Sequence, residues 1–359
     1  MKNKIAIIDI TSRALPYDYC YIKSICSNYD VDFYCSQSRF NNNFLDEIKR
    51  IDNVNVIEVK IKKNNPITMI FSYFMAVLKV LLFSKKYSYI NLQWLVVPYL
   101  DLLMYSFARN KLIFTIHNSK PHNVKSGRYI PFIIASKIFR KLIFVSESEK
   151  SVFQNLYNPS GFKIYCLPHG EMPIIPGKER VKPKRSRIKR IIFWGNVKDY
   201  KGVDFLADNL STIRDLKLNL EVWGKFDISL IDIKNKLIDQ DVKVVDKFIS
   251  NEDVEYLLMS DDIALVFPYK NATQSGVLYT ALYYNVPILS TKTGDNYEYI
   301  SSYLFDDLTF SYANAKEFHN SLEFLISNSS KILVKMELSR DKFRWNYQTK
   351  YLNQIFGRE

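Results

Sequence analysis

The sequence predicts an α/β protein built from two doubly wound domains, and three observations carry that prediction. Short apolar runs recur without polar alternation, helix-length stretches fall between them, and the pattern starts afresh near residue 190. A strand that reads as continuously apolar is one buried on both faces, as in a parallel sheet covered by helices on each side. The 359 residues suit two domains of ordinary size, and 47% hydrophobic with 24% charged residues excludes a disordered chain and a polytopic membrane protein.

The basic start and the short apolar run leading into Asp9 lack a small-residue cleavage site, so residues 5–10 read as a first strand and not as a signal peptide. Further strands are expected at residues 31–34, 54–59, 89–92, 112–116, 141–145 and 163–167. The segment 66–83 nearly reaches a membrane-spanning length, but it carries Lys79, Thr68 and Ser72 and is read as a long core helix. Its flanking Lys60, Lys62, Lys63, Lys85 and Lys86 offer the alternative of a helix at the interface of an anionic membrane.

A second series, 190–194, 218–223, 242–245, 263–268 and 287–290, predicts the second domain. Between the two, residues 171–189 hold Pro173, Pro176 and Pro183, and residues 178–190 carry eight basic groups against one acidic, +7 of the chain's +13. That stretch is expected as a solvated hinge, or as a phosphate or headgroup contact. Residues 331–356 read as amphipathic helices whose Phe343, Trp345, Tyr347, Tyr351 and Phe356 anchor on a neighbouring domain. The expected division is a first domain, 1–172, a basic linker, 173–189, a second domain, 190–335, and C-terminal helices, 336–359, that return to the first.

Cys20, Cys26, Cys35 and Cys166 show no CxxC spacing, which argues against a zinc site and a disulfide framework and fits a reducing cytoplasm. The positive charge invites nucleic acid, anionic lipid or phosphorylated small molecules. Nucleic acid is disfavoured, because the cations gather in the linker and the aromatic residues are spread through apolar runs instead of forming an interleaved stacking platform.

Two doubly wound domains offer a cleft where C-terminal strand ends and helix N-termini converge, so the chemistry is expected in the loops that follow strands. No GxGxxG, GxxxxGK[ST] or GxSxG occurs, which disfavours nicotinamide and flavin dehydrogenases, P-loop ATPases and α/β hydrolases. The strand at 112–116 ends in His117-Asn118, placing an imidazole at the cleft mouth, where it can bond a hydroxyl or relay a proton. His169 is expected to shape the crossover, His122 to lie in an exposed loop and His319 in a polar helix. The strand at 190–194 runs into Gly195 and then Lys201-Gly202 at the start of an apolar helix, an arrangement that holds an anion. The strand at 263–267 leads through Pro268 to Thr273, Ser275 and Gly276, small residues with open N–H groups at a helix start. Asp261-Asp262 precedes a strand and reads as a turn or cap, not a metal site.

Together, Thr115-Ile116-His117, Val145-Ser146-Glu147, Pro168-His169-Gly170, Gly195 with Lys201-Gly202, Pro268-Tyr269 with Gln274-Ser275-Gly276, and Asn285-Val286-Pro287-Ile288 resemble the GT-B glycosyltransferases. They are most similar to the broad glycosyltransferase family 4 of bacterial polysaccharide assembly. The likeness covers both domains and implies two Rossmann-like folds facing a cleft. It implies a nucleoside-diphosphate sugar bound mainly by the second domain, and an acceptor bound by the first. Residue by residue, His117 matches the histidine near the transferred sugar and Lys201 the lysine on the donor diphosphate. Gly195, Asn196, Thr273, Gln274, Ser275, Gly276 and Val277 fall at the same diphosphate. Gly224, Lys225 and the loop Lys247-Phe248-Ile249 would lie near the base and ribose, Glu298 in the loop before a late helix, and Thr11, Ser12, Asn118 and Glu147 on the acceptor side. Two positions depart from the family: Ala272 and Thr280 stand where it often has glutamates, and Asn196 where it often has arginine, with Lys198 a substitute.

The expected activity is transfer of a hexose to a lipid-linked or growing surface glycan, of the capsule, O-antigen or exopolysaccharide kind. It is expected to need neither metal nor cofactor and to retain configuration, with Lys201 neutralising the departing diphosphate. The alternatives are an inverting enzyme using His117 or Glu147 as base, and a nucleotide-sugar epimerase of the same fold. The expected location is cytoplasmic, peripheral on the inner face of the plasma membrane, with no nucleic-acid partner.

Overall fold

Ile5, Ala6, Ile7 and Ile8 are all buried in consecutive positions of the first strand, the mark of a strand inside a parallel sheet. The computed structural model describes residues 2–38, 41–61, 65–119, 128–157, 163–177, 180–185, 187–271 and 275–357. The chain falls into two compact units, unit 1 of Met1–Gly170 with Arg344–Glu359 and unit 2 of Glu171–Phe343.

Unit 1 contains β1 (Asn3–Asp9), α1 (Leu15–Ile25), β2 (Tyr29–Cys35), α2 (Asn42–Lys49), β3 (Val54–Glu58), α3 (Pro66–Leu82), β4 (Tyr89–Leu92), α4 (Pro98–Tyr105), β5 (Leu112–Ile116), α5 (Ile130–Ile138), β6 (Lys141–Phe144), α6 (Glu147–Tyr157) and β7 (Lys163–Cys166). The sheet is parallel, in the order β3-β2-β1-β4-β5-β6-β7. Winding reverses between β1 and β4, so the loops after those two strands diverge and leave a crevice at their C-terminal ends, where α/β folds bind ligands. Tyr73, Val77 and Val80 of α3, Leu102 of α4 and Phe132 of α5 share one core with Ala6, Ile8, Leu92 and Phe114, so these helices cover one side of the sheet.

Unit 2 contains β8 (Arg190–Trp194), α7 (Val203–Asp208), α8 (Leu210–Asp215), β9 (Asn219–Trp223), α9 (Ile231–Asp239), β10 (Lys243–Val245), α10 (Asn251–Leu258), β11 (Ile263–Phe267), α11 (Gly276–Tyr284), β12 (Ile288–Thr291), α12 (Gly294–Tyr303), β13 (Thr309–Phe310), α13 (Ala315–Ser327) and α14 (Ser329–Arg340). Its sheet is also parallel, in the order β10-β9-β8-β11-β12-β13, and it reverses between β8 and β11. β13 was not expected: a two-residue strand is too short to leave a periodic signal.

The segment expected as a separate solvated linker, 173–189, is instead part of unit 2. The Arg185 guanidinium is buried, and it donates to the carbonyls of Tyr284 at 2.9 Å and Asn285 at 3.0 Å and to that of Leu258. Arg180 makes a two-pronged contact with Glu255, whose carboxylate also accepts from Tyr284 Oη. A count of charges does not distinguish a solvated cation from an arginine that closes off C-terminal carbonyls, as Arg185 does, or one that pairs with a carboxylate, as Arg180 does.

The tail divides later than residue 336. Helix α14 stays with unit 2, where Ser339 meets the Tyr299 hydroxyl at 2.7 Å and Arg340 clamps Glu171. From Arg344 onward the chain belongs to unit 1. There α15 (Trp345–Phe356) packs on α1, buries Leu352, Ile355 and Phe356, and gives the Ile355 carbonyl to the buried Lys141 ammonium at 2.6 Å.

Candidate active site

In unit 2, both loops at the winding reversal carry residues singled out from the sequence. Gly195 and Gly224 stand just past β8 and β9, with φ of 126° and 152°. A Cβ on Gly224 would sit 1.9 Å from the Gly195 carbonyl oxygen, so the two strand ends approach as only glycine allows. The loop from β8 then makes a short turn over Asp199–Lys201 and reaches Gly202 at φ 67°. A Cβ there would lie 1.9 Å from the Pro268 carbonyl of the β11 loop. The two loops are also tied by Lys270 N–H donating to the Tyr200 carbonyl at 2.8 Å, and by the Lys270 ammonium on Asp199 and Asp204.

This clamp holds the intervening Lys201. Its Nζ lies 3.0 Å from where a Cβ on Gly195 would be, and 5.6 Å from the centroid of the Tyr269 ring. Among the described residues no carboxylate pairs with it. Burial, with Lys198 nearby as a second cause, lowers its pKa to about 8. An ammonium that has lost water and gained no counter-ion is poised for an anion. The second element is the start of α11. Ser275 is buried, its hydroxyl 3.4 Å from Tyr269 Oη, and it does not cap the helix, which leaves first-turn N–H groups without a side-chain acceptor among the described residues. Thr273, Gln274 and Ala272 lie outside the described residues. Gly276 is exposed, Val277 is half-buried, and Thr280 turns its hydroxyl back onto the Gly276 carbonyl at 3.2 Å. Asn196 and Lys198 are exposed on the loop.

The positions expected near a base are joined by Asp246, which accepts from Phe226 N–H at 3.0 Å and pairs with Lys225 and Lys234. Those donors, the backbone N–H first, hold its pKa down at about 2. Lys247 pairs with Asp253 at 3.3 Å. Ile249 is buried in the core, whereas Phe248 is half exposed.

In unit 1, His117 follows β5 and is buried, stacked on the Trp94 ring at 4.3 Å and 12°, with the Tyr17 edge 5.2 Å away. Its Nε2 lies 3.1 Å from Gln93 Oε1. The Gln93 amide nitrogen donates to Asn91 Oδ1 at 2.9 Å, and Asn91 Nδ2 donates to Thr115 Oγ1 at 3.0 Å. Burial, with His169 nearby, lowers the His117 pKa to about 3, and burial lowers that of His169 to about 4. Both imidazoles are neutral at pH 7. Of the acceptor-side candidates, Thr11 bonds Asp9 at 3.2 Å, and Ser12, at φ 52°, bridges to the backbone of Ser36. Glu147 is exposed and pairs with Lys150, while Glu149 bonds the Ser119 N–H of the β5 loop. His319 is half-buried beside Glu323 at 3.5 Å, and His122 lies outside the described residues.

Sequence reasoning missed Tyr17, Gln93 and Trp94 around the two histidines, and it read Trp345 as an anchor without placing it beside His169. They come from separate parts of the chain, and no local spacing announces them. The buried Asp18 was missed as well; its carboxyl oxygens have no donor among the described residues, and burial and then Asp9 raise its pKa well above the usual carboxylate range.

Residues 188–328 match the family model described as glycosyl transferases group 1. No curated protein matches the sequence. Solved structures similar to the chain include sucrose-phosphate synthase from Thermosynechococcus elongatus, 12% identical at TM-score 0.67, with 99% of this chain and 98% of that one covered. Anabaena HepE, solved in complex with UDP, is 11% identical at TM-score 0.71 over 99% of both chains. WaaG, described as a glycosyltransferase involved in lipopolysaccharide biosynthesis, is 14% identical at TM-score 0.63 over 99% of this chain and 100% of that one. At such identities the likeness establishes the fold, a pair of Rossmann-like domains of the GT-B type.

Proposed function

From the premise that this GT-B chain, with its group 1 segment over residues 188–328, is a glycosyltransferase, we propose that it moves a hexose from a nucleoside-diphosphate sugar to a lipid-linked or growing surface glycan. The observation that carries the reading is Lys201, a desolvated ammonium with no carboxylate partner among the described residues. A leaving diphosphate gains negative charge on its bridging oxygen as the sugar departs. Lys201, with the N–H groups at the start of α11, would neutralise that charge in place and needs no metal to do so. HepE was solved with UDP, which supports a nucleotide as the occupant of such a site, and the WaaG description supports a surface-glycan acceptor.

Retention of configuration is proposed over inversion. Inversion needs a base strong enough to take a proton from the acceptor hydroxyl, and His117, with a pKa near 3, is too weak at neutral pH. Glu147 is exposed and its carboxylate is engaged by Lys150, which argues against it as the base. His117 instead acts as a neutral hydrogen-bonding group that orients a sugar hydroxyl.

Turnover of the donor that the wild type accepts tests the assignment. Lys201→Ala is expected to lose about a hundredfold to a thousandfold in kcat, the range seen on removing one such electrostatic donor. Unchanged turnover would overturn it. The anomeric coupling in the NMR spectrum of the product decides between retention and inversion.

A further inference from the structure

The helices on one side of the unit 1 sheet present an outward face that the core does not explain, and we propose that this face docks unit 1 on an anionic lipid surface. In α3, Tyr73, Ala76, Val77 and Val80 turn into the core, whereas Ile67, Phe71, Met75 and Leu82, at helical spacing, stand on the opposite side. A helix lying on a sheet ordinarily turns polar side chains to water there. The face continues across α4 and α5, which pack beside α3 in order. Leu103 is 64% exposed, Phe107 just past α4 is 84% exposed, and Ile130 opens α5 at 56%. Among the described residues of unit 1, eleven of the thirteen exposed large apolar side chains lie between residues 67 and 130.

Charge selects the occupant. From Lys60 to Lys141 the chain has fourteen Lys and Arg and a single acidic residue, Asp101, so this stretch carries an excess equal to the +13 of the whole chain. Asp101 is buried and spent on the Val96 and Val97 N–H groups and the Tyr73 hydroxyl. The exposed Lys79, Lys85, Arg109, Arg128 and Lys137 form no ion pair among the described residues, although surface lysines elsewhere, such as Lys49, Lys236 and Lys292, do. Apolar side chains amid unpaired cations match headgroup phosphates lying over acyl chains: the rings and leucines enter the boundary while the lysines stay with the phosphates. A protein partner would take the apolar face without requiring this stretch of chain to be stripped of carboxylates.

The chain that forms this face runs on from the candidate acceptor side: α4 starts at Pro98, just past Trp94, whose ring stacks on His117. A lipid-linked acceptor would therefore be met at the surface to which unit 1 is bound. That last link rests on the proposed function; the docking face itself does not.

Vesicle flotation tests the proposal, with phosphatidylcholine alone and with phosphatidylglycerol as one lipid in three. The wild type is expected to float with the mixed vesicles, and about tenfold less with phosphatidylcholine alone or in molar salt. Leu103→Ser with Phe107→Ser, exposed positions outside the sugar-transfer residues, is expected to weaken binding about tenfold while keeping the wild-type melting temperature and turnover of a water-soluble acceptor. Lys79→Glu with Lys137→Glu should lose the preference for the anionic lipid. Absence of binding to both vesicles, equal binding to both, or a dimer in light scattering that Phe107→Ser dissolves would overturn the proposal. Because flotation needs no sugar donor, a chain that floats but transfers nothing would overturn the glycosyltransferase reading alone.

Discussion

Gln93 sets the tautomer of His117. The Ile113 carbonyl can only accept, so Asn91 Nδ2, 3.4 Å from it, must face it as the donor. Asn91 Oδ1 is then left to accept from the Gln93 amide and from the Tyr21 hydroxyl at 3.0 Å. Gln93 in turn presents Oε1 to His117, so the imidazole carries its proton on Nε2 and a lone pair on Nδ1. Gln93→Glu would set a carboxylate against that N–H and favour the imidazolium. The His117 pKa, about 3 in the wild type, should rise by at least a unit in an NMR titration, and kcat should fall more than donor KM rises. A titration midpoint that does not move would show that Gln93 does not hold the ring.

Lys201 predicts the pH dependence of donor binding. Its pKa is depressed to about 8, so the ammonium is present at pH 7 and lost as pH rises through 8. Nucleoside-diphosphate affinity should be about tenfold weaker at pH 9 than at pH 7, following the protonated fraction. Lys201→Arg should flatten that profile. Calorimetric titration at the two pH values checks both.

Asp18 predicts an opposite and purely structural effect. Its raised pKa means that the folded chain holds a proton which the unfolded chain releases, so stability falls as pH rises above the ordinary carboxylate value of 3.8. Asp18→Asn supplies a permanent donor to Asp9 without the titration. The variant should melt higher than the wild type at pH 8, and the advantage should vanish near pH 4. Thermal denaturation at the two pH values measures it.

Gly202 predicts the importance of the loop clamp. Its φ of 67° and the Pro268 carbonyl 1.9 Å from a Cβ there leave alanine no room. Gly202→Ala should cost about 1–3 kcal/mol of stability and weaken donor binding, because the loop carrying Lys201 must move. Chemical denaturation with a parallel binding titration separates the two effects.

How far the molecule was legible in its sequence depended on how local each signal is. Strands such as Ile263–Phe267 showed themselves because burial on both faces requires an unbroken apolar run, and the Lys201 loop because strand, glycine, lysine and glycine follow in order. The surroundings of His117 stayed hidden: Tyr17, Gln93 and His169 converge only through the strand order β1-β4-β5-β6-β7. Arg185 was hidden differently, since net charge reads the same whether a guanidinium is solvated or buried against carbonyls. The division of labour along α3 was half visible: both the core helix and the outward apolar face are present in one element.

The account rests on unit 2 holding a nucleoside diphosphate at Lys201, and a melting-temperature panel with UDP, GDP and TDP, run on wild type and Lys201→Ala, tests it most directly. A ligand at a hundredfold its Kd stabilises by about 2.7 kcal/mol, a shift of several degrees. The account predicts such a shift for one nucleotide in the wild type and its loss in the variant. No shift with any of the three, or the same shift in both proteins, would contradict it.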